Sequence, residues 1–142
     1  MTDALSTAAD RFHSAAIHAL RYARREDDAS GLSPARLSAL SVLVFAGPKT
    51  IGELAAAEHV RPPTMSAIVD GLEEGGLARR VADPGDGRLV RVQASAKGKR
   101  VLQRARERRI TALAERLAPL SADEIETVRR AAELVESRLS GS

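Results

Sequence analysis

The stretch "LARRVADPGDGRLVRVQA", residues 77–94, decides how the rest of the chain is read. Two short runs flank a turn built on Pro84, Gly85 and Gly87, which reads as a β-hairpin with strands at 77–82 and 89–94. Val90, Val92 and Ala94 share one strand face and Arg91 lies on the other, so the ribbon packs one side on its neighbours and leaves its tip in solvent. A tight turn needs its glycines; it does not need a base, yet Arg88 sits at the tip beside Asp86.

Immediately upstream, "TIGELAAAEHVRPPTMSAIVDGLEEGG" predicts two short helices, at 51–58 and 62–75, joined by "EHVRPP". Pro62 and Pro63 fall in the first turn of the second helix, where backbone amides lack helical partners anyway. This is the outline of a helix-turn-helix. Met65, Ile68, Val69 and Leu72 form its inward stripe, and Pro63, Ser66, Ala67, Asp70 and Glu74 its outward face. Small and polar residues at the start of that face suit a helix lying deep in a DNA major groove, where a serine can bond several bases and an alanine methyl can touch thymine. An acid at Asp70 would repel phosphate unless an arginine pairs with it, and the linear sequence names no such partner. A helix-turn-helix followed at once by a β-hairpin is a winged helix, whose hairpin tip reaches DNA beside the recognition helix.

The flanking chain is helical and plainly punctuated. Further helices are expected at 3–26, 34–46, 96–118 and 122–139. Ser33 before Pro34 reads as a helix cap, Thr50 with Glu53 and Ser121 with Glu124 match the reciprocal capping box, and Ser95 caps the long basic segment. The fold class is therefore mainly α with a small β-hairpin: a winged helix-turn-helix flanked by N- and C-terminal helices.

Composition narrows the function. The 142 residues suffice for one domain with a sizeable core, and no apolar stretch approaches the roughly 20 residues of a membrane span. The N-terminus "MTDALSTAADRFHS" carries neither a basic leader nor an apolar run, so a cytoplasmic location without membrane partners is expected. There is no Cys, which removes disulfides, thiolate metal sites and thiol redox sensing together. The formal charge is only +3, but between Arg79 and Arg109 eleven Lys or Arg face three acids. Aromatic residues are limited to Phe12, Tyr22 and Phe45, too few for stacking single-stranded bases, so duplex is the expected nucleic acid. His13 and His18 are five apart and share no helical face, and neither a G-x-S-x-G elbow nor a phosphate-binding glycine loop occurs. Neither catalysis nor a cofactor or metal is expected. A winged helix that binds only other proteins is the alternative.

With these elements in hand, the chain resembles the MarR family (multiple antibiotic resistance regulators). The likeness is carried by "GLSPARLSALSVL", by "TIGELAAAEHVRPPTMSAIVDGLEEGGLARR", and by the wing "DPGDGRLVRVQASAKGK", in which Asp86-Gly87-Arg88 matches the D-x-R signature and Ser95-x-x-Gly98 the strand-to-helix step. It implies a transcriptional regulator, usually a repressor, that binds an inverted-repeat operator as a homodimer. By this resemblance residues 1–142 form one MarR-like domain, with a winged-helix DNA-binding lobe at 33–96 and a dimerisation region from 1–30 plus 97–142. Two DNA contacts common in the family are missing: Ala67 stands where its recognition helix often has Arg, and Gly87 replaces the first Arg of its D-R-R wing. More of the binding then falls on Arg61, Pro63, Thr64, Ser66 and Arg88, with Ala67 lining the groove. Arg88 is expected to enter the minor groove, with Asp86 holding its side chain by a charge-assisted hydrogen bond, and Lys97 and Lys99 to touch phosphates.

The terminal helices point to a second copy. Ile125, Val128, Ala132, Val135 and Leu139 step by three and four along the last helix, and Leu5, Phe12, Ala16 and Leu20 form a looser set on the first. Two such stripes are hard to bury in one small winged domain. The resemblance further implies a crevice between the two regions that takes a small aromatic or lipophilic effector, with Phe12, Ala16 and Phe45 among its walls.

Overall fold

The computed structural model describes residues 2–140; the outermost residues of the expected 1–142 domain, Met1, Gly141 and Ser142, lie outside the described residues. Six helices and two strands follow in the order α1 (Asp3–Arg24), α2 (Pro34–Phe45), α3 (Ile51–Ala57), α4 (Pro62–Glu74), β1 (Ala78–Ala82), β2 (Val90–Ala94), α5 (Ala96–Leu117) and α6 (Ala122–Leu139). Between α1 and α2 the chain tightens into a 3-10 turn, Arg25–Ser30, closed by Gly31 at φ 73°. The first helix therefore stops at Arg24 rather than at 26.

Local chemistry sets the starts of these helices. The hydroxyls of Ser33 and Ser95 accept from the amides of Arg36 and Gly98, and Thr50 and Ser121 make complete capping boxes with Glu53 and Glu124. Each satisfies an amide that has no partner within the helix.

β1 and β2 pair antiparallel, with Arg80 opposite Val92 and Val81 opposite Arg91. A further pairing was not evident in the sequence: Lys49 exchanges both backbone bonds with Val92, at 3.0 and 2.7 Å, adding a one-residue third rung to the hairpin. Single residues between a Gly-Pro turn and a helix cap carry no periodicity. Val92 is consequently sealed, but Val90 is 47% exposed despite sharing its face with Val92, because the hairpin runs past the body before it turns. The expected packing of that strand face thus stops short of Val90.

One core joins Leu40 of α2, Leu54 of α3, Met65, Val69 and Leu72 of α4, Val92 of β2 and Leu102 of α5. Of the α4 stripe, Met65, Val69 and Leu72 are wholly buried and Ile68 partly so, and full burial of each such side chain stabilises the fold by roughly 1.5–3 kcal/mol. Gly98 explains the Ser95-x-x-Gly98 step: a Cβ there would lie 2.1 Å from the carbonyl oxygen of Leu77, which already accepts from the Ser95 amide at 2.9 Å. The terminal helices differ. α1 buries only Ala23, near its end, and α6 buries nothing. Among the described residues α6 makes no extensive contact with any other element.

Candidate nucleic-acid interface

α4 starts without a side-chain cap. Arg61 occupies the cap position and Pro62 and Pro63 the first two helical ones, so the helix opens on rigid proline instead of a capping hydroxyl. With Met65 and Val69 turned into the core, the opposite face presents Arg61, Pro63, Thr64, Ala67 and Asp70 to solvent, and Ser66 is half-buried at its edge. The turn before it is tight: His59 adopts φ 56°, a left-handed conformation that glycine takes more easily.

The partner of Asp70 is Arg80. By register Arg80 shares its strand face with Val92, so its stem crosses the edge of the core and its guanidinium lies along α4. There Nη1 reaches Asp70 Oδ1 at 2.9 Å and pairs with Glu73, while Nη2 donates to Ser66 Oγ at 3.1 Å and to the Ser66 carbonyl at 3.4 Å. The Glu73 carboxylate also accepts from the Arg80 amide at 3.3 Å. Partial burial opposes the charge on Arg80, but the hydrogen bonds to Asp70 and Glu73 outweigh it and raise its pKa. Asp70, on the exposed face of α4, is thus paired within the protein, although it shares its guanidinium with Glu73. Sequence reasoning missed this residue, although an arginine at an inward strand position opposite two acids on one helix face was its signal.

The wing is fixed by backbone bonds and a second arginine. The Asp83 amide donates to the Leu89 carbonyl at 2.8 Å and the Leu89 amide to the Asp86 carbonyl at 3.0 Å. Asp86 Oδ1 accepts from the backbone amide of Arg88 at 3.0 Å. The expected bond between Asp86 and the Arg88 side chain is therefore replaced by one to its main chain, because a carboxylate two residues back reaches the amide without any rotamer cost. The Arg88 side chain is exposed, and no acid among the described residues pairs with it. Arg91, on the other strand face, ties the wing down: its Nη1 lies 3.0 Å from Glu53 Oε1 in α3 and its Nε 3.5 Å from Asp83 Oδ1. The Thr50 amide and hydroxyl, and then Arg91, hold the Glu53 carboxyl below its ordinary pKa.

Known proteins are similar to this chain in sequence and fold. Residues 30–89 match the MarR family model. An HTH-type transcriptional regulator of Mycobacterium tuberculosis is 40% identical over 115 residues, covering 81% of this chain and 80% of its own length. A counterpart in Mycobacterium leprae, an uncharacterized HTH-type transcriptional regulator, is 36% identical over 135 residues, 95% of this chain and 94% of that protein. The chain belongs to the MarR family. The structure of a MarR family protein from Bacillus stearothermophilus superposes with a TM-score of 0.82 at 25% identity, covering 99% of each chain. A transcriptional regulator from Thermotoga maritima, 22% identical with 95% of each chain covered, has the same fold at a TM-score of 0.82. This chain is a transcriptional regulator with a DNA-binding winged helix-turn-helix of the MarR type. No helix among the described residues is long and apolar enough to cross a membrane.

Of the basic residues beside the wing in this MarR fold, Lys97 donates from Nζ to the Gly75 carbonyl at 2.9 Å, covering the C-terminal end of α4, and Lys99 is exposed. A crevice of about 300 Å³ opens between the 3-10 turn, α2 and α5. Phe45, 69% exposed, stands at its edge, whereas Phe12 and Ala16 lie on the exposed face of α1 and do not line it. Its polar wall was not foreseen: Asp27, 5% exposed, pairs with Arg109 through a 2.7 Å bond from Nε, with Arg24 and Arg106 nearby. The hydrogen bonds that Arg109 donates to Asp27, against partial burial, raise the Arg109 pKa.

Proposed function

We propose that this MarR-family regulator binds an inverted-repeat operator as a homodimer, represses transcription there, and is released by a small aromatic or lipophilic ligand. The carrying observation is the exposed face of α4, small and polar and with Asp70 paired to Arg80, standing beside a wing tip whose arginine pairs with no acid among the described residues. In this reading residues 33–96 form the DNA-binding lobe, and 1–30 with 97–142 form the dimerisation region. Thr64, Ser66 and Ala67 enter the major groove, Arg88 the adjacent minor groove, and Arg61, Lys97 and Lys99 meet phosphates. Asp86 acts indirectly, by ordering the backbone under Arg88.

The dimer is supported by the unburied stripe of α6, where Ile125, Val128 and Leu139 are 47%, 43% and 67% exposed, and by Leu5 and Phe12 of α1 at 57% and 44%. A two-fold pair sets its recognition helices about one DNA turn apart, hence the inverted repeat. Phe12 and Ala16 would become ligand walls only where α1 of the second copy closes over the crevice. With no Cys in the chain, release by thiol oxidation is excluded, and a ligand shifts the equilibrium only by its preference for the non-binding state. Footprinting on duplex selected from a random pool tests the reading. Two symmetric protected half-sites, with affinity that falls as salt is added, are expected; binding that salt does not relieve, or a single unsymmetric half-site, would contradict it.

A further inference from the structure

Ser66, Asp70 and Glu73 succeed one another at spacings of four and three along α4, so one helix edge carries a hydroxyl and two carboxylates in a row. Arg80 engages all three from β1. The two acids fix the guanidinium, and Nη2 of the fixed group is aimed at Ser66 Oγ, 3.1 Å away. A hydroxyl has one proton and two lone pairs, and a guanidinium has only donors. Arg80 must therefore meet Ser66 through a lone pair, which leaves the serine proton directed elsewhere. Ser66 sits in the second turn of α4, half-buried at the edge of its exposed face and beside the exposed Ala67.

We propose that Arg80 is a positioning residue for base recognition: it turns Ser66 into a hydrogen-bond donor toward the major groove, so that α4 selects a base with an acceptor edge opposite Ser66. Purine N7, guanine O6 and thymine O4 meet that demand; cytosine offers only its N4 amino donor there and is the base excluded. The inference rests on α4 lying in the major groove, as proposed above.

The test starts from sequences selected by the full-length protein from random duplex, and then measures affinity for each single-base change. For the wild type one position in each half-site should reject cytosine. Ser66→Ala should erase that discrimination, on the order of 5- to 100-fold, at that position alone. Arg80→Met keeps the stem and loses the donors; it should flatten the same position while leaving the others, and Arg80→Lys, again a pure donor, should restore part of the preference. A 7-deazapurine at a purine-selecting position should weaken the wild type and leave Arg80→Met unaffected. Should Arg80→Met loosen α4, pairing it with Glu73→Gln removes an unpaired acid, and thermal denaturation checks the fold. An even loss at every position in the Arg80 variants, or an unchanged preference, overturns the inference alone. Failure to select any sequence overturns the proposed DNA reading with it.

Discussion

α4 and α6 carry apolar stripes of the same helical spacing, yet Met65, Val69 and Leu72 are sealed while Ile125, Val128 and Leu139 remain largely exposed. The difference lies in neighbours. α4 is packed by α2, α3 and β1, whereas α6 continues from α5 beyond the core and has no extensive contact with any other element among the described residues. An amphipathic pattern states only that a face must be covered. Whether the cover comes from the same chain depends on topology, and for α6 the same chain does not supply it.

The two stripes should respond differently to truncation. Leu72→Ala, in the α4 stripe, removes a side chain with no exposure and should cost about 2–5 kcal/mol at any protein concentration, measured by chemical denaturation. Leu139→Ala on α6 should show a cost that depends on protein concentration, because it acts on association. A concentration-independent loss for Leu139→Ala would break the comparison.

Next in size is Gly98→Ala. Its Cβ would meet backbone rather than a flexible side chain, so β1 and α5 must part, and a loss of about 1–3 kcal/mol in thermal or denaturant unfolding is expected. Arg88→Ala sharpens the contrast from the opposite direction. Operator affinity should fall by about 1–3 kcal/mol, with less preference for A·T flanks, while the melting temperature hardly moves, since an exposed turn side chain contributes little to folding. Unchanged operator affinity in a folded Arg88→Ala protein would reduce the wing tip to an ordinary turn.

The smallest effect concerns the capping boxes that open α3 and α6. Hydrogen bonds from the Thr50 and Ser121 amides, and from their hydroxyls, lower the pKa of Glu53 and Glu124 below the ordinary 4.5. A folded pKa below the unfolded one stabilises the fold above the unfolded value, and that contribution is lost as pH falls through the folded value. Stability should therefore decline on acidification below about pH 4.5, and less steeply in Glu53→Gln, whose neutral side chain still accepts the Thr50 amide. An identical acid profile for Glu53→Gln would show that this carboxylate contributes nothing.

What the sequence made legible follows the range of the interaction. Caps act over three residues, and the bonds of Ser33, Thr50, Ser95 and Ser121 occur where the pattern places them. The hairpin and the α4 stripe were equally readable, since periods of two and 3.6 are local properties. Arg80 was not, because its bond to Ser66 crosses fourteen residues and depends on how β1 lies against α4. The pair between Asp27 and Arg109 spans eighty-two residues, and nothing in "REDDAS" distinguishes the one buried acid from its neighbours. Asp86 shows a subtler limit: the expected bond to the Arg88 side chain is absent and the Arg88 amide takes its place, a choice of conformation that the sequence does not carry.

The central claim is that the face left open on α6 is closed by a second copy of the chain. Sedimentation equilibrium of the full-length protein at micromolar concentration tests it most directly. A single species of twice the chain mass is predicted, shifting toward monomer when Ile125 and Val128 are both changed to Asp; a well-folded wild-type monomer would contradict the account.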